Sequence, residues 1–70
     1  MGLIRVRKID YTTGGGDVLV DMEISTASSQ ITVPVHVEDQ GSAGNNEREA
    51  FLELQKILEE ALELVRHQLG

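Results

Sequence analysis

Two stretches decide the fold: Val18-Leu19-Val20-Asp21-Met22-Glu23-Ile24-Ser25 and Ile31-Thr32-Val33-Pro34-Val35-His36-Val37-Glu38. In each, a side chain that prefers oil alternates with one that tolerates water. That period of two is the mark of a half-buried strand. Val18, Val20, Met22 and Ile24 fall on one face of the first stretch, and Ile31, Val33, Val35 and Val37 on one face of the second. Thr26-Ala27-Ser28-Ser29-Gln30 between them reads as a turn. Antiparallel pairing about its centre sets Met22 against Val33 and Val20 against Val35. Pro34 has no N–H for a ladder, so the second stretch belongs at a sheet edge.

Working outward toward the N-terminus, residues 12–17 contain Gly14-Gly15-Gly16, a cheap source of positive φ for a reversal. Before them, residues 3–11 read as another strand. Reversal about the glycines sets Ile4 against Ile24, Arg5 against Glu23, Val6 against Met22 and Arg7 against Asp21, so charge and oil match in one register. The alternation slips after Arg7. Either a bulge sits near Lys8, or Ile9 and Tyr11 stand on the outer face, where Ile9 would meet Leu19.

Toward the C-terminus, residues 39–46 read as a loop, and a helix is expected from about Glu47 to Gln68, with Asn46 and Glu49 as a capping-box variant. Glu47 and Glu49 suit its positive end, and Arg66 and His67 its negative end. The expected architecture is α+β: one domain over 1–70, a three-stranded antiparallel meander (strands about 3–11, 18–25 and 31–38) with one long C-terminal helix on its apolar face, in the order β-β-β-α.

The chain has 70 residues, 12 acidic and 6 basic side chains, a formal net charge of −6 and no cysteine. Zero Cys excludes disulfide staples and thiolate metal sites. No apolar run approaches the ~18 residues of a membrane span, and Arg5, Arg7 and Lys8 break up what could be a leader, so the cytoplasm is the default location. A domain this small seldom draws more than about 3–5 kcal/mol from its own core. Tight helix–sheet packing or self-association must supply the rest.

The helical stripe is wide. Ala50, Phe51, Leu54, Ile57, Leu58, Ala61, Leu62, Leu64, Val65 and Leu69 cover roughly 160° of a wheel, where about 100° suffices for an ordinary amphipathic helix. Leu62 and Leu64 lie at opposite margins, and Leu52 lies on the polar face. Leu62, Leu64 and Leu69 are therefore candidate interface residues, joined on the sheet by Ile9, Tyr11 and Leu19. The unprotected edge of the first strand offers another dimer mode.

Residues 17–39 hold Asp17, Asp21, Glu23, Glu38 and Asp39 and no Lys or Arg. Asp21, Glu23, Glu38 and Asp39 are candidates for an acidic surface that steers a basic partner. The acidic excess disfavours direct nucleic-acid binding, and an acidic helix disfavours an anionic membrane.

Catalytic patterns fail in turn. His36 and Glu38 share a strand face and Asp39 follows, but no second His is near in sequence. His36-Val37-Glu38 matches H-x-E without the Cys pair that a zinc deaminase requires. Gly14-Gly15-Gly16 lacks a following Lys-Ser/Thr and a helix, so it is no phosphate cradle. Arg5, Arg7 and Lys8 are too few for a nucleic-acid footprint. No catalytic, cofactor or metal residue is assigned. The expectation is a small acidic non-enzymatic protein–protein interaction module, a homodimer that binds another protein. The alternative is a phage-type inhibitor, anti-CRISPR or anti-restriction, whose acidic surface blocks a basic nucleic-acid-binding site.

Overall fold

The computed structural model describes residues 2–11 and 16–70. The chain forms β1 (Leu3–Tyr11), β2 (Asp17–Ser25), β3 (Gln30–Glu38) and α1 (Ala43–Leu69). The strands make one antiparallel sheet in the order β1-β2-β3, and α1 contacts β3 and β2. This is the expected meander followed by one long helix. Pro34 lies on an edge strand, opposite Asp21.

The β2–β3 register is the one that the alternation predicts: Val20 faces Val35 and Met22 faces Val33. The connecting turn is closed by Thr26, whose N–H donates to the Ser29 carbonyl at 2.7 Å. Its Oγ1 accepts from the Ser29 N–H at 3.0 Å. A short polar side chain here does the work of a backbone turn.

β1 pairs as expected through Val6, with Ile4 opposite Ile24, Arg5 opposite Glu23 and Val6 opposite Met22. The register then shifts between Val6 and Lys8, leaving Arg7 as the extra residue. Of the two ways to explain the slipped alternation, the bulge is the one found. It corrects two pairings. Asp21 faces Lys8 rather than Arg7, and Ile9 faces Val20 rather than Leu19. One extra residue inverts the phase of everything after it, so Ile9 turns inward and packs against the core. The glycine reversal falls mostly on residues 12–15, outside the described residues; Gly16 takes a φ of +71°, as a residue without Cβ can.

The helix starts earlier than its sequence suggests, at Ala43 rather than Glu47, so the loop is 39–42. The cap is Ser42, not Asn46: Ser42 Oγ accepts from the Asn45 N–H at 3.2 Å. Glu47 and Glu49 consequently fall beyond the first turn, which holds no acid, whereas Arg66 and His67 do occupy the last turn. Asn46 has a different task. It is fully buried, its Oδ1 accepts from the Gln40 N–H at 2.7 Å, and its Nδ2 donates to Asp39 Oδ1 at 3.1 Å. Asp39 also accepts from the Gly41 N–H at 2.9 Å, and its own N–H donates to the Gly16 carbonyl at 2.9 Å. This network ties the start of α1 to the end of the sheet.

The core is small. Val18, Val20 and Met22 of β2 meet Val35 and Val37 of β3 and Ala50 and Leu54 of α1. Val6, Ile9, Ile24 and Val33 pack around them, partly covered. Full burial of one such Val, Leu or Met contributes about 1.5–3 kcal/mol.

Candidate interaction surface

Helix and sheet part company in the middle of α1. Asn46, Ala50 and Leu54, at successive intervals of four, are the buried residues of α1, with Leu54 only 2 % exposed. Every residue from Gln55 onward is exposed. Ile57, Leu58, Leu62, Leu64, Val65 and Leu69 are all in solvent, Leu62 at 50 % and Leu69 at 83 %. A 27-residue helix is about 40 Å long, and a nine-residue strand about 30 Å. The rod is longer by only about 10 Å, so the exposure that begins at Gln55 also reflects α1 lifting away from the sheet.

A groove of about 550 Å³ opens where the two separate. Ile4 of β1 forms one wall. Phe51, Leu52, Leu54, Leu58 and Leu62 of α1 form the other, with Arg48, Gln55 and Glu59 supplying its polar atoms. Beside it, Ile4, Ile24 and Ile31 are in register across the sheet on the helix-facing side, and both outer members of that row are exposed.

The size of the uncovered surface can be judged by scaling. A compact monomer of 7.7 kDa should expose roughly 4,300 Å², whereas this chain exposes 5270 Å². The radius of gyration is 13.6 Å, against about 11 Å for a compact 70-residue domain. The excess of roughly 900 Å² is close to the ~800 Å² that each partner gives up in a standard protein interface.

The remaining candidates disperse. Tyr11 is exposed at the end of β1, in register with Val18. Leu19 is half-buried on the outer sheet face between Asp10 and His36. Since Ile9 lies on the inner face, Ile9 and Leu19 are on opposite sides of the sheet and make no common patch. Leu62 lines the groove, and Leu64 and Leu69 stand outside it.

The four acids divide too. Glu23 is buried, because Arg5 lies over it with Nε 2.7 Å from Oε1. That hydrogen bond and the Arg5 charge hold the Glu23 carboxyl below its ordinary pKa against the opposing effect of desolvation. Asp39 is held low by the Gly41 amide and the Asn46 side chain. Both carboxylates are engaged in the fold. Asp21 is half-buried opposite Lys8, and Glu38 is exposed opposite Asp17.

His36 is exposed on the outer face of β3. Among the described residues no three His, Asp or Glu side chains come close enough to hold a metal ion. No described helix is long and apolar enough to cross a membrane. No family model, curated protein or solved structure matches this chain.

What the sequence missed here is the loop network. Asp39-Gln40-Gly41 has the short acid and the glycine of an Asx turn, and Gly41 does adopt a φ of +87°. That pattern and Ser42 were the available signals.

Proposed function

We propose that this chain is a non-enzymatic protein–protein interaction module, working as a homodimer that binds another protein. The observation that supports this most is the bare apolar half of α1, with a groove at its root and about one standard interface of surplus surface. A row of apolar side chains left bare along half a helix is costly in water unless another chain covers it. The net charge of −6 then steers a basic second partner and sets the rate of encounter. The sheet edge is the poorer dimer mode, because the bulge at Arg7 breaks the straight ladder that a second β1 would need.

The test is sedimentation across a dilution series. The expected result is a dimer that dissociates on dilution; a compact, stable monomer at every concentration overturns the reading. The alternative, a phage-type inhibitor using its acids to block a nucleic-acid channel, draws no support from the placement of the carboxylates. It needs one continuous acidic face, but Glu23 is buried under Arg5 and Asp39 is engaged by Gly41 and Asn46.

A further inference from the structure

Resting on the reading that the chain pairs with itself, we infer that two copies of α1 pack antiparallel, with Leu62 of one opposite Val65 of the other and Glu59 ion-paired to Arg66 across the seam. Leu58, Leu62, Val65 and Leu69 recur at intervals of four, three and four. That is the spacing of a coiled-coil seam. All four are exposed, and the seam begins just after Leu54, the last residue buried on the sheet. One heptad step back from Leu62 is Gln55, and one further is Arg48. These polar residues interrupt the seam toward the N-terminus, where Phe51, one heptad before Leu58, is the remaining apolar position.

Direction and register follow from what flanks it. Glu59 and Arg66 each directly follow a seam position on one side of the helix, and Ala61 and Gln68 each directly precede one on the other. A parallel pair brings each side against the opposite one, so Arg66 meets Ala61 and Glu59 meets Leu54, with no charge matched. An antiparallel pair brings like sides together. With Leu62 opposite Val65 and Leu58 opposite Leu69, every layer is apolar, and Glu59 lies within a turn of the partner's Arg66, twice by symmetry. Sliding by one heptad, to place Leu62 opposite Leu58, adds a Phe51–Leu69 layer but puts Gln55 against Val65 and brings the two copies of Glu59 together. The favoured register also places the two sheets toward opposite ends of the dimer. Among the described residues Glu59 and Arg66 make exposed local contacts, to Gln55 at 3.3 Å and Glu63 at 3.5 Å. Such contacts are weak and readily exchanged.

The chain has no cysteine, so disulfide mapping needs only single substitutions. Leu58→Cys, Leu62→Cys and Val65→Cys are made separately, mixed in pairs and oxidised, with helicity checked by circular dichroism. Leu62→Cys with Val65→Cys should give a cross-linked dimer, and Leu62→Cys alone should not. Cross-linking of Leu62→Cys to itself would mean a parallel pair, and cross-linking only between Leu58→Cys and Leu62→Cys would mean the shifted register; either overturns the inference. A dimer by sedimentation with no cross-link in any mixture overturns it while leaving the dimer intact. A monomer throughout overturns both. As an independent arm, Glu59→Arg and Arg66→Glu should each weaken dimerisation about tenfold, and the double exchange should restore it. Failure of that rescue also counts against the pairing.

Discussion

Residues 43–54 and 55–69 of α1 share one axis and one chemistry of Leu, Glu and Ala, yet their surroundings differ completely. The first segment buries Asn46 against the 39–42 loop and Ala50 and Leu54 in the core with β2 and β3. The second continues the same stripe through Ile57, Ala61 and Leu64 and buries none of it. Helical period tells which side chains share a face, but it is silent on what lies beneath that face. The helix leaves the sheet after Leu54, with the outer members of the Ile4–Ile24–Ile31 row still uncovered, and the stripe goes on.

The sharpest way to break this comparison is to truncate one leucine in each half. Leu54→Ala should cost about 2–5 kcal/mol, comparable to the whole stability of so small a domain. Its urea transition should shift to very low denaturant or vanish. If Leu54→Ala unfolds like wild type, the first half is not anchored as described.

Asn46→Ala should cost about 1–3 kcal/mol, because the Gln40 N–H loses its acceptor and Asp39 a donor. The same urea titration measures it, and Asn46→Asp separates the acceptor role from the donor role.

A smaller effect is expected in acid. Glu23 and Asp39 carry depressed pKa values in the folded chain, Glu23 chiefly through Arg5 and Asp39 chiefly through the Gly41 amide. Between folded and unfolded values the unfolded chain binds more protons, so stability rises with pH there. The contribution is complete above about pH 4.5 and drains away as pH falls through the folded values. Urea midpoints taken from pH 7 to pH 3 should therefore decline below about pH 4.5, and less steeply in Glu23→Gln. An unchanged slope in that variant would show that the Arg5 pair does not contribute.

Smallest of all is Leu62→Ala in dilute protein, where the folding free energy should move by no more than about 0.5 kcal/mol. The same substitution at high concentration should weaken self-association. A large loss of stability in the dilute monomer would mean that the second half is supported by its own chain after all.

Most of the sheet was legible because alternation and charge pairing are local signals that reinforce each other. Val20 with Val35, Met22 with Val33 and Arg5 with Glu23 all follow from counting outward from a turn. Arg7 marks where counting fails: a strand can absorb one extra residue, and only the inward pull on Ile9 reveals that it did. The helix start is hidden in the sequence for a related reason. Gly44, Asn45 and Asn46 are poor helix formers, and Asn46 resembles a cap. Its amide is instead used by Gln40 and Asp39, so tertiary bonding carries the helix through residues that propensity assigns to a loop. The burial of Glu23 was half-visible. Its partner could be named, but that Arg5 would lie over it and exclude water depends on the central place of β2.

The tie between Asp39 and Gly16, with Asn46 beside it, gives α1 the mechanics of a cantilever. The rod is clamped at Asn46, rests on the sheet as far as Leu54, and projects about 22 Å further to Leu69. A load applied at the tip is multiplied by that lever arm before it reaches the clamp, and the clamp consists of a few hydrogen bonds in residues 39–42. Whatever grips the tip thus has leverage over the one corner that joins helix to sheet.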